Sequence, residues 1–151
     1  MKQILLTTIA AVVLVGCGES SIHDAANGGN IEAVKQHIAA GADVNANAKG
    51  EEGLTPLQYA TFHGHKEVAE LLIAKGADVD ARQYGNGLTS LHYAALNGRK
   101  VIVELLIAKG ANENAKADNG ATPLDMASGK AADLLRKHGG KTSEELKAAA
   151  D

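Results

Sequence analysis

Six histidines, one cysteine and 18 carboxylates are the groups in this chain that could do chemistry. His63 and His65 are separated by one residue and could offer two nitrogens to a metal. A metal site needs at least a third convergent ligand, usually an Asp, Cys or His at usable spacing, and no metal is expected here. There is no glycine-rich phosphate loop, no nucleophile elbow and no HExxH. The reading is therefore of a chain without a catalytic set and without a cofactor. Cys17 is the only cysteine, so an internal disulfide is impossible. The formal charge of −3 argues against nucleic acid, because phosphate binding needs a basic surface.

Cys17 does have a chemical context. Met1-Lys2-Gln3 is a short basic start, and Ile4 to Val15 is a 12-residue run in which only Thr7 and Thr8 are polar. A bilayer span takes about 20 apolar residues, so the run fits a secretory h-region instead. It ends in Leu14-Val15-Gly16-Cys17. This looks like a bacterial lipobox, in which the cysteine becomes the lipidated first residue. Three readings compete: lipid attachment, a secreted protein with an incidental cysteine, and an uncleaved anchor. Lipid attachment is the expectation. By resemblance, residues 1–16 are a lipoprotein signal peptide and cleavage falls before Cys17. The same resemblance implies that Gly18, rather than Asp, after the cysteine favours the outer over the inner membrane. Residues 17–20 form the tether, whose last three reach roughly 10 Å when extended.

The elements that follow repeat. Gly53 to Asp80, GLTPLQYATFHGHKEVAELLIAKGADVD, returns 34 residues later as GLTSLHYAALNGRKVIVELLIAKGANEN, Gly87 to Asn114. Thr55-Pro56-Leu57, Thr89-Ser90-Leu91 and Thr122-Pro123-Leu124 mark three openings, and Ser21-Ile22-His23-Asp24 begins a copy upstream. A period of this length signals a stack of supersecondary units. TPLQYA, TSLHYA and TPLDMA at the openings, Gly64-His65 at mid-repeat, and GADVNA, GADVDA and GANENA at the closes resemble the ankyrin-repeat family. That resemblance implies an all-α solenoid of about four helix-turn-helix repeats joined by β-hairpin-like loops. The repeats are expected at 21–45, 46–80, 81–114 and 115–140, with a capping helix or tail at 141–151.

Local physics agrees with this division. Thr accepts hydrogen bonds from the first exposed amides of a helix, and Pro at the next position loses no needed donor. Inner helices are expected to end at Ala26 and near His63, and outer helices to run Ile31–Ala39, Lys66–Lys75 and Ala131–His138. Val68, Leu71 and Leu72 are expected to face inward, as are Val101, Leu105 and Leu106 in the next copy. Ser90 and Arg99, replacing proline and the turn histidine, are expected to loosen local order slightly. The fourth repeat is four residues shorter between its helices. Thr142-Ser143-Glu144-Glu145 reads as a capping box that starts a last short helix.

The resemblance also implies where a partner docks. In this family the concave face, made of finger tips and inner helices, is the usual binding surface. The matching positions are Phe62, His63, Leu96 and Asn97 on the inner helices. On the fingers they are Glu51, Glu52 and Leu54, then Tyr84, Asn86 and Leu88, then Asp118 and Asn119. Tyr59 and Tyr93 occupy equivalent positions and are expected to pack between repeats. Phe62 and Tyr84 break the repeat, which suits exposure to a partner. His92 is expected to bond the neighbouring turn. The function expected is a monomeric, non-catalytic protein-binding module, lipid-anchored at a bacterial cell envelope and facing the periplasm or cell surface. Two alternatives stand beside it: an immunity or inhibitor protein that neutralises an envelope-acting toxin or enzyme, and a metal-dependent enzyme.

Overall fold

The computed structural model describes residues 21–48 and 53–150. The signal-peptide and lipid expectations at residues 1–20 fall outside it, as do Glu51 and Glu52. Its helices are α1 (Ile22–Asn27), α2 (Ile31–Ala39), α3 (Pro56–His63), α4 (Lys66–Ala74), α5 (Ser90–Leu96), α6 (Lys100–Ala108), α7 (Pro123–Met126), α8 (Gly129–Lys137) and α9 (Ser143–Ala148).

The odd-numbered helices α1, α3, α5 and α7 stack into an inner layer, and α2, α4, α6 and α8 into an outer one. Fingers connect one pair to the next. Each is closed like a hairpin by a backbone bond at its stem: Ala48 to Leu54, Gln83 to Leu88 and Ala117 to Ala121, at 2.8–2.9 Å. Strand structure does not appear among the described residues.

Three of the inner helices start in the same way. Ser21, Thr55 and Thr122 cap α1, α3 and α7 through their hydroxyls, with Asp24, Gln58 and Asp125 reaching back to close the box. Thr142 and Glu145 repeat the device at α9. Two amides that a helix start leaves orphaned are thereby satisfied at each site.

Leucines at two registers, one on the inner helices and one on the outer, fill the core. Leu57, Leu72, Leu91, Leu106 and Leu135 are at most 1% exposed. Repeats one and two share one cluster, repeats three and four another, and Ile73 and Val79 pack against both. A repeat cannot bury its own apolar face, so its stability depends on its neighbours.

One inward assignment needs correction. Val101 is 53% exposed, and Ile102 and Val103 are buried instead. The 34-residue offset pairs Val68 with Ile102, whereas Val101 pairs with the exposed Glu67. Leu71 and Leu105 are only partly buried and lie at the margin of the core. The missing residues of repeat four come out of its inner helix, which shrinks to four residues, Pro123–Met126. The Arg99 guanidinium lies over Gly64 in the turn of the preceding repeat, where an added Cβ would come within 3.1 Å of Nε. Ser90 is fully buried, and among the described residues its Oγ is the buried side-chain polar atom without a partner.

Candidate functional site

The inner helices present two different edges. One is bonded to the next repeat. Gln58 Nε2 donates to the Ala81 and Leu88 carbonyls at 2.9 and 3.1 Å. His92, in the matching position, accepts at Nδ1 from the Thr89 amide at 3.1 Å. That fixes the proton on Nε2, which donates to the Ala121 carbonyl at 3.1 Å. His92 therefore bonds the neighbouring turn, as expected. Burial holds its pKa below the ordinary 6.5, Arg82 adds to the effect, and the Ala121 bond opposes it. Asp125 occupies the same position in repeat four and accepts from Ser143 N at 3.0 Å. Burial raises its pKa, but bonds from Thr122 and Ser143 outweigh this and leave the carboxyl below the usual range.

The other edge is open. Between finger Gln83–Leu88 and helices α1, α3 and α5 lies a groove of about 780 Å³. Phe62, at 37% exposure, meets Tyr93 edge-to-face at 5.7 Å and His63 at 4.9 Å. Tyr84, 78% exposed, overhangs it from the finger. Tyr84 also packs on the preceding finger, where a Cβ on Gly53 would lie 3.2 Å from its own Cβ. The Tyr93 hydroxyl donates to Gln83 Oε1, so the floor of the groove is tied to the stem of the finger.

The finger is held from its other side as well. Arg82 Nη2 pairs with Asp118 Oδ1 at 2.6 Å, and its Nη1 donates to the Lys116 carbonyl. Asp118 N donates to the Asn86 carbonyl at 2.9 Å. Gly87 permits this approach: it has φ +68°, and a Cβ there would collide with Arg82 Nη2 and Asp118 Oδ1. Asn86 Oδ1 accepts from Leu88 N at 3.0 Å and shapes the tip.

The structure brings Phe62, His63, Tyr84, Asn86 and Leu88 together at this groove. Leu54 lines it too, but is only 6% exposed and belongs to the wall rather than to an exposed tip. Asp118 is committed to Arg82, and Asn119 shapes its own turn by accepting from Ala121 N. Leu96 is 53% exposed but does not line the groove, and Asn97 Nδ2 donates to the Tyr93 carbonyl. Tyr93 packs between repeats, being 7% exposed, yet it also faces the groove, as does the half-buried Tyr59. Asn27 and Gln83 also line it. Sequence reasoning missed both, because neither belongs to a repeated motif.

The two candidate metal-ligating histidines do not converge on a site. Their rings stack at 6.0 Å, His65 Nε2 contacts the Asn27 carbonyl at 3.0 Å, and among the described residues His, Cys, Asp and Glu form no group of three that could hold an ion.

An ankyrin-repeat model matches the chain over residues 3–83, 22–117 and 81–144. The human protein phosphatase 1 regulatory subunit 27 is 41% identical over 64 residues, 42% of this chain and 40% of that protein. Myotrophin of Xenopus tropicalis is 38% identical over 61 residues, 40% of this chain and 50% of that one. The alignments thus span half or less of these relatives. With the stacked helix pairs, the fingers and the matched repeats in hand, the chain belongs to the ankyrin-repeat family, whose repeats serve as protein–protein interaction modules.

Proposed function

We propose that this chain is a non-catalytic protein-binding module, held at a bacterial cell envelope by lipid on Cys17, that captures its partner in the groove beneath Tyr84. One observation carries the binding reading. The chain has three tyrosines, one phenylalanine and no tryptophan, and all four rings line this one groove. Aromatic residues are enriched among binding hot spots. A stack that needed them only as filler would distribute them through its leucine core. The human relative is named as a regulatory subunit, which fits a protein that acts by binding.

The envelope reading rests on Leu14-Val15-Gly16-Cys17 behind an apolar run. Several acyl chains anchor stably where one does not. Cys17→Ser should abolish fatty-acid labelling and release the protein from membranes; unchanged labelling would reject this reading. For the groove, a photo-crosslinker at position 84 in the membrane-bound protein should capture a partner that is lost from a folded Phe62→Ala variant. Equal capture by both would move the interface elsewhere.

A further inference from the structure

Three features of the groove together specify the chemistry of what enters it. First, it carries no fixed charge: no Asp, Glu, Lys or Arg is among the described residues that line it. Recognition of acidic or phosphorylated motifs depends on arginine clusters, so an anionic segment has no counter-charge here. Second, the stem of finger Gln83–Leu88 already has its backbone paired. The amides of Gln83, Gly87 and Leu88 donate within the finger. The carbonyls of Gln83, Asn86 and Leu88 accept. Addition of a strand depends on an unpaired edge, and at Gln83, Gly87 and Leu88 this edge is already paired.

Third, the groove offers side-chain hydrogen-bond donors. The Leu88 amide holds Asn86 by its oxygen, so the Asn86 Nδ2 amino group is what remains for a ligand. Asn27 lines the far side with its own side-chain amide. An incoming helix has its carbonyls bonded internally, so its apolar face would strip water from these donors without replacing it, which is costly. A polyproline II segment has the opposite character. Its carbonyls are solvated and unpaired, its prolines carry no amide to satisfy, and it is stiff before binding. Proline-rich segments dock in aromatic-lined grooves, and here Phe62, Tyr84, Tyr59 and Tyr93 supply the rings.

The geometry points to an uncharged, proline-rich segment in the polyproline II conformation as the occupant of this groove. This rests on the groove being the binding face.

The test is NMR titration of the full-length chain in detergent micelles. The probes are decaproline, a proline–leucine alternating peptide, a glycine–serine peptide of equal length and a neutral chito-oligosaccharide. The two proline peptides should shift the Phe62, Tyr84 and Asn86 signals, and the glycine–serine peptide should not. Tyr84→Ala should weaken the effect about tenfold, as loss of an aromatic anchor does, with an unchanged urea midpoint as the folding control. Absence of groove shifts at millimolar proline peptide would overturn the proposal. So would equal shifts from glycine–serine, or stronger shifts from the oligosaccharide. Crosslinking from position 84 separates the two levels. A captured protein that binds without a proline-rich segment removes this ligand class but leaves the binding face standing. Capture unaffected by Phe62→Ala removes the face itself.

Discussion

Helices α3 and α5 each have a repeat-facing edge and a groove-facing edge, and the two follow different rules. On the first, equivalent positions do the same work. Gln58 and His92 both reach the next finger's carbonyls, despite different chemistry. On the second, equivalent positions diverge: Phe62 faces the groove, while its counterpart Leu96 stands outside it. Repetition marks what holds the stack together. Departure from repetition marks what the stack presents.

The largest test of this contrast is in the core. Leu72→Ala or Leu106→Ala, both at 0% exposure, should cost ~2–5 kcal/mol in urea unfolding. That is a large share of the roughly 5–15 kcal/mol of a typical domain. Leu71→Ala and Leu105→Ala should cost clearly less, since both sit at the core's margin. Equal losses would sink the register assigned here.

Next is the histidine in the repeat-facing edge. His92→Ala leaves the Thr89 amide and the Ala121 carbonyl unmatched and should cost about 1–3 kcal/mol. His92→Gln should recover part of that, because Gln58 fills the same role in repeat two. His92 also predicts a pH dependence. Its folded pKa lies below 6.5, so the unfolded chain binds the proton more readily. Stability attributable to His92 is whole above 6.5, declines as pH falls below it, and is lost through the folded pKa. Urea midpoints measured across that window should fall in the wild type and flatten in His92→Gln; parallel curves would refute the assignment.

Asp125→Ala removes one half of the capping box of α7 and the tie to Ser143. A loss of about 1 kcal/mol is expected, with faster amide exchange over residues 142–148. Ser90→Pro should raise stability by roughly 0.4–1 kcal/mol by restricting the unfolded chain, and it also deletes a buried hydroxyl that lacks a partner. The smallest effect belongs to the groove. Tyr84→Ala should change stability by no more than about 0.5 kcal/mol while weakening partner capture. A large loss of stability would mean that Tyr84 serves the stack rather than the partner.

Much of this division is legible in the sequence. The helix starts can be read because Thr-Pro-Leu and Thr-Ser-Leu carry a local mechanism. Most boundaries follow, although α8 begins at Gly129 rather than Ala131. Val101 misleads because it is apolar beside apolar neighbours; only alignment with Glu67 shows that it points outward. Leu54 looks like a finger tip but folds under the finger, which depends on how the stem closes from Ala48. Phe62 and Tyr84 are visible as breaks in the pattern. Asn27 and Gln83 are not, because their role comes from which finger stands over which helix, and that is set by packing between repeats.

The ladder between repeats has a further consequence, for self-association. Asn45 accepts from Asp78 N, Asp80 from Asn112 N and Asn114 from Lys141 N, at 2.7–2.9 Å. A stack whose top face matches its bottom face can add copies head to tail, and such contacts form open fibres unless the geometry closes. Here the last rung is occupied by the chain's own tail. Asn114 Nδ2 donates to the Gly139 carbonyl, Asp125 receives Ser143, and the Thr122 hydroxyl donates to the Lys141 carbonyl. The segment from Gly139 to Ser143 thus occupies the hydrogen-bonding positions that such a head-to-tail contact would need.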